Sequence, residues 1–191
     1  MKIITTSLAL FFCTLCAPQL PQISAAREQG RTLQAPPKRP AEKASFIFQQ
    51  IEPTLRRESR VPLRLPGFLP DVDAEHPVHA ILRSATSSNY DILLAVEEPC
   101  RGQNNCLYGS VHGNASPFTL EEDERPSIPI KLRGGIKGQF VESVCHAYCS
   151  EAYVRWSENG FYYSVGIKAG KKEVLIGVAN SAIASARKKG R

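Results

Sequence analysis

Across its 191 residues the chain never strings together the roughly 18 to 20 apolar residues that a membrane-crossing helix requires. No transmembrane span is therefore expected in the mature protein. Nor is there a glycine-rich phosphate loop, a nucleophile elbow with a recognisable Ser-His-Asp arrangement, or an inward-facing pair of carboxylates. Those absences argue against nucleotide binding, triad hydrolysis and two-carboxylate acid-base chemistry. Outside the first 26 residues, Cys100, Cys106, Cys145 and Cys149 with His146 lack the Cys-x-x-Cys spacing of a zinc ribbon, and only one tryptophan, Trp156, is present. On these grounds no catalytic residue, metal ligand or cofactor is expected, and the protein is not expected to be an enzyme.

What is present begins with a leader. Lys2 precedes an apolar run (Ile3, Ile4, Leu8, Ala9, Leu10, Phe11, Phe12) that fades at Ala17 and is followed by Ser24-Ala25-Ala26, a small-x-small cleavage pattern. Leu15 before Cys16 is larger than a lipoprotein signal peptide uses. The expected organisation is a signal peptide over 1–26, a disordered basic and proline-rich linker over 27–44, one domain over 45–186 and a basic tail over 187–191. The protein is thus expected to be exported, to the periplasm or the extracellular space.

Export changes how the cysteines are read. Cys13 and Cys16 leave with the leader, and Cys100, Cys106, Cys145 and Cys149 remain as two expected disulfides. Four cysteines allow three connectivities, and sequence does not choose among them. Local pairing closes two short loops worth about 2 kcal/mol each, against about 4 kcal/mol per bond for crossed pairing, so energy does not favour it. Proximity does, and Cys100 with Cys106 and Cys145 with Cys149 is the expected arrangement.

Charge sits at the ends. Residues 27 to 43 carry five basic and two acidic side chains, and 187 to 191 carry four basic ones. Between them, residues 44 to 186 hold 14 basic against 16 acidic residues, which argues against a nucleic-acid-binding face. The basic ends suit solvated tails, with an anionic membrane surface or an acidic wall polymer as the alternative.

The body reads as strands with a helix at each end. Ser45 is placed to cap a short helix through Phe46, Ile47 and Ile51, with Pro53 breaking it or opening a second turn. Val61 to Pro70, VPLRLPGFLP, suits an extended edge segment because of its three prolines. Tyr90, Ile92, Leu94 and Val96 alternate onto one face, Leu107 to His112 restarts a strand, Ile128, Ile130 and Leu132 alternate again, and Phe140-Val141 marks another strand. Asn159-Gly160 is the signal of a type I′ hairpin, which sets Glu158 opposite Phe161, Trp156 opposite Tyr163, Val154 opposite Val165 and Ala152 opposite Ile167. The apolar pairs share one face, so Trp156 and Tyr163 are read as core, while Tyr153, Arg155 and Tyr162 on the other face form a candidate binding surface on which both tyrosines are expected to stand exposed. Leu175, Val178, Ala179, Ala182 and Ala186 then make a helical stripe suited to covering the sheet.

Three of these segments, "VPLRLPGFLP", "WSENGFYYSVGIK" and "VLIGVANSAI", resemble an uncharacterised family of exported cyanobacterial proteins over most of residues 45 to 186. Their order is similar to an extracytoplasmic domain of unknown function in Gram-positive anti-sigma factors and sporulation proteins. The resemblance implies an α+β fold, a curved antiparallel sheet with a C-terminal helix on one face and a short N-terminal helix, like that of lipoprotein carriers. It implies no catalytic motif, and fold alone does not carry function.

Other clusters are read as structural. Cys145-His146 is weak as a thiol nucleophile because strand neighbours point apart and export favours the disulfide. Glu121 to Glu124 lacks the alternating ligands and glycine of a calcium loop, and His76 and His79, beside Pro77 and Asp73, read as exposed loop residues. The functional expectation is a non-catalytic binding or interaction module of the cell envelope, its partner another envelope protein or a small apolar ligand. The alternatives are a hydrolase of an envelope polymer or a lipid or peptide carrier.

Overall fold

The computed structural model describes residues 44–72, 75–117 and 125–188, which belong to one compact unit spanning Lys38–Arg191. The expected leader and linker, Asp73, the acidic run of residues 121–124 and the last three residues lie outside the described residues, as do the side chains of Ser45 and Ala186. The architecture is α+β: seven antiparallel strands form one open sheet, with short helices before it and a long helix after it. None of the described helices is long and apolar enough to cross a membrane.

Strands β1 (His79–Thr86), β2 (Asn89–Ala95) and β3 (Leu107–Asn114) form one meander; β4 (Ser127–Lys131), β5 (Lys137–Val141), β6 (Glu151–Glu158) and β7 (Phe161–Lys168) form another. They join through β3 and β7, giving the order β1-β2-β3-β7-β6-β5-β4. The β6-β7 hairpin has the expected register throughout, from Ala152 opposite Ile167 to Glu158 opposite Phe161. Asn159 and Gly160 both adopt positive φ, 53° and 82°, as a type I′ turn requires. Trp156 and Tyr163 stack with ring centroids 5.4 Å apart, and both are buried.

One face of the sheet is the main core. Tyr90, Ile92, Leu94, Val111, Val154, Val165 and Phe140 all point there and are buried. Helix α3 (Lys172–Lys188) covers them with Leu175, Val178, Ala179, Ala182 and Ile183, each of the larger three adding roughly 1.5 to 3 kcal/mol by burial. The short helices α1 (Ala44–Ile47) and α2 (Glu52–Glu58) add Phe48, which follows α1, and Leu55. Pro53 stands in the first turn of α2, where its missing N–H costs nothing.

The segment Val61–Pro70 is extended but pairs with neither sheet edge, which corrects its expected place. It lies against the core face and α3, with Val61 and Leu69 buried. Its backbone groups, lacking a strand partner, are satisfied by side chains instead. The Arg64 amide donates to the Tyr90 hydroxyl at 3.1 Å, the Gly67 amide donates to Ser181 Oγ at 3.2 Å, and Ser185 Oγ donates to the Leu65 carbonyl at 2.8 Å. The serines of α3 are therefore the fasteners of this cover. Val96 departs from its expected face as well: β2 ends at Ala95, and Val96 is exposed.

Candidate functional site

The cysteines pair locally, Cys100 with Cys106 and Cys145 with Cys149. Their surroundings differ. Cys100 and Cys106 are buried with Leu93 and Ala95 in a second, smaller apolar cluster, flanked by Ile81 and Leu107, on the side of the sheet away from α3. The loop they close folds back over that face, and Lys168 Nζ donates to its Asn104 carbonyl. Cys145, by contrast, stands in an exposed turn with Val144 and Tyr148. The disulfide removes Cys145 from nucleophilic chemistry with His146.

The rest of this second face is polar, and strand register assembles it row by row. Asp91 on β2 faces His112 on β3, His112 faces Ser164 on β7, Ser164 faces Arg155 on β6, and Arg155 faces Gln139 on β5. One side of this row is a compact charge cluster. Asp91 Oδ1 lies 3.2 Å from His112 Nδ1, and Asp91 Oδ2 lies 3.6 Å from Arg83 Nε. Burial lowers the His112 pKa; Asp91 pulls it up, and Arg83 pushes it further down.

Glu151 leans into the same cluster from β6. A Cβ on Gly166 would stand 2.9 Å from Glu151 Oε1 and 3.2 Å from Ser110 Oγ, so the bare glycine leaves the space where these two side chains converge. Burial raises the Glu151 carboxyl; the Ser110 hydroxyl beside it, Arg125 and Arg83 draw it down, and Asp91 raises it further. Two carboxyls on one face, Asp91 and Glu151, are a feature that reading the sequence missed. They sit on strands β2 and β6, sixty residues apart in the chain, and only the β3-β7 junction brings them together.

The other side of the row is the expected binding surface. Tyr153, Arg155 and Tyr162 all lie on it, though each is half-buried, whereas both tyrosines were expected to stand exposed. Arg125 covers the Tyr153 ring at 5.2 Å, and Arg155 approaches it at 5.8 Å. Arg155 is held at two points: its Nε donates to Gln139 Oε1 at 2.9 Å, and its plane rests by the Tyr153 ring. Its two terminal nitrogens meet no acceptor among the described residues.

Beside Arg155 runs a groove of about 430 Å³, lined by Lys137, Gln139, Ser157, Tyr162 and Pro129. Arg155 and Tyr162 thus come together at one depression, while Tyr153 supports it from outside. None of the described residues lining the groove is acidic. The arrangement offers two cations, amide and hydroxyl hydrogen-bonding groups, and a flat ring. Among the described residues, no three His, Cys, Asp or Glu side chains gather as metal ligands would. Of the two histidines noted near the start of β1, His76 is exposed and His79 Nδ1 lies 3.9 Å from Glu98.

Compared with protein-family models, curated proteins and solved structures, the chain matches none of them.

Proposed function

We propose that this chain is an exported protein of the cell envelope that works as a non-catalytic binding module, through the polar face of its sheet at the groove beside Arg155. A single observation carries the reading. The Arg155 guanidinium is positioned by Gln139 and Tyr153 while its terminal nitrogens remain unclaimed among the described residues. A half-buried guanidinium with its entropy already spent and its fork open is organised for an external acceptor. Two local disulfides and the resemblance to exported cyanobacterial proteins and to the extracytoplasmic sporulation domain support the location.

The lipoprotein-carrier-like architecture is part of the same proposal, since a sheet with one covering helix fits it. Transport of an apolar ligand does not follow from it. The face such a ligand would use is filled by α3 and Val61–Leu69, with Ile92, Val111, Val154 and Val165 buried beneath them. The hydrolase reading draws on Asp91 and Glu151, two carboxyls on one face of the sheet, of which burial raises Glu151. Against it, neither carboxyl is among the described residues lining the groove: Asp91 lies beside His112 and Arg83, and Glu151 is tucked over Gly166 beside Ser110. A general acid has to reach the substrate oxygen.

Retention on washed envelope fractions tests the module reading. Wild-type protein should sediment with membrane or wall material, and Arg155→Met combined with Tyr162→Ala should release it while leaving its circular dichroism unchanged. Equal retention of both proteins would sink the proposal.

A further inference from the structure

From the chemistry of the same groove, and resting on the module reading above, we infer that its ligand is an acidic saccharide, a sugar ring bearing a carboxylate, held within an anionic glycan. The charge is the first argument. Lys137 and Arg155 both line the groove, and no acidic side chain does among the described residues, so the lining favours an anion.

Geometry narrows the anion. The Arg155 Nε is committed to Gln139 Oε1, and the guanidinium is braced by Tyr153, so what it offers is its pair of terminal N–H groups in a fixed fork. A planar carboxylate matches that fork with two parallel hydrogen bonds. Lys137 adds a mobile point charge two residues along β5 from Gln139.

The remaining lining suits the body of a sugar rather than an aliphatic chain. Tyr162 and Pro129 supply flat apolar surface of the kind a pyranose ring packs against. Ser157 and the Gln139 amide nitrogen supply hydrogen-bonding groups for ring hydroxyls. A groove of about 430 Å³ is the size of a small-ligand site, enough for a short saccharide segment. Tyr162 sits opposite Ser157 across the β6-β7 ladder, so ring platform and hydroxyl partner are fixed by rigid strands.

Titration calorimetry of the full mature chain tests this with two probes of equal length, tetragalacturonate as the acidic saccharide and cellotetraose as the neutral one. Binding of the acidic probe, a tenfold or greater loss with Arg155→Met or Tyr162→Ala, and at least tenfold weaker binding of the neutral probe are the expected results. Arg155→Lys should recover part of the affinity, since charge is kept and the fork is lost. Equal binding of both probes, or binding that ignores Arg155, overturns the inference.

A second arm separates this inference from the reading beneath it, using a photo-crosslinking amino acid in the native envelope at position 117, which lines the groove but plays no part in the proposed contacts. A crosslink to an envelope protein, with neither saccharide binding, refutes the acidic glycan and leaves the module standing. No crosslink and no saccharide binding refute both.

Discussion

Arg64 and Glu158, ninety-four residues apart in the chain, face each other at 2.9 Å with side chains only 11% and 15% exposed. The pair ties the covering segment to the tip of the β6-β7 hairpin. Arg64 also lies over the Tyr163 ring at 5.4 Å, on the ring that stacks with Trp156. Burial pushes the Tyr163 hydroxyl up to about 12, with Arg64 drawing it down and Glu158 raising it. Arg64 thus joins an ion pair and an aromatic stack through its guanidinium, and anchors its backbone amide on the Tyr90 hydroxyl.

Breaking this pair from one side should be costly because the partner carboxylate stays largely buried. Arg64→Met is expected to destabilise by about 3 kcal/mol, and Arg64→Met with Glu158→Leu by clearly less, since no uncompensated charge remains. Urea unfolding of the two variants and of Glu158→Leu alone closes the double-mutant cycle. A double variant as unstable as Arg64→Met would show that the guanidinium's contact with the Tyr163 ring, not the ion pair, dominates.

Glycines should split by what stands above them. At Gly113 a Cβ would lie 2.3 Å from the buried Tyr90 ring, and at Gly109 it would lie 2.2 Å from the Gly166 carbonyl oxygen. Neither neighbour is the free end of a flexible chain, so Gly113→Ala and Gly109→Ala should each cost about 3 kcal/mol or more, at the upper end for overpacking. Gly177, in α3, meets nothing within 4 Å, and Gly177→Ala should gain roughly 0.5 to 1 kcal/mol through helix propensity. Thermal midpoints that fail to separate the two groups would contradict the packing described for the core face.

These contrasts show which parts of the fold the sequence makes legible. The β6-β7 hairpin is readable to the residue because Asn159-Gly160 fixes the turn and the apolar pairs fix the face. Strand β1 goes unread. Its ladder with β2 shifts between Leu82 and Ser84, and that irregularity breaks the alternation that would announce it. Leu93 and Ala95 look like a solvent-side lapse in the pattern of β2 until the Cys100–Cys106 loop closes over them. The polar face is legible only in part. Tyr153, Arg155 and Tyr162 follow from one hairpin's register, whereas Asp91, His112 and Glu151 meet through pairings between distant strands, which local periodicity does not encode.

The two disulfides should differ in worth although both close short loops. Each loop contributes about 2 kcal/mol by chain entropy. Cys100 and Cys106 are also buried against Leu93, Ala95 and Leu107, so replacing both with serine removes packing and puts hydroxyls into an apolar cluster. Cys100→Ser with Cys106→Ser should therefore cost about 3 to 4 kcal/mol, and Cys145→Ser with Cys149→Ser about 2 kcal/mol or less. Chemical denaturation without reductant compares them. Mild reductant should also open Cys145–Cys149 first, because Cys145 is exposed while Cys100 and Cys106 are buried. The reverse order, followed by peptide mapping, would overturn the account of the second cluster.

Glu151 and His112 should tilt stability with pH in opposite directions. Burial raises the Glu151 carboxyl, so the fold prefers its protonated form. That contribution is fully present below the unfolded value of about 4.3 and is lost as pH climbs toward the raised folded value. Burial lowers His112, so the fold prefers the neutral imidazole. Its contribution is present above the unfolded value of about 6.5 and is lost as pH falls toward the lowered folded value. Glu151→Gln should thus unfold like the wild type in acid and become progressively more stable than it toward neutral pH. His112→Gln should flatten the acid-side loss that begins near pH 6.5, roughly where free histidine titrates. Because both side chains converge with Asp91 and Arg83 on one face, the double variant's profile should depart from the sum of the single changes. Thermal midpoints across that pH range decide the matter, and a Glu151→Gln curve parallel to the wild type throughout would mean the carboxyl is solvated rather than held over Gly166.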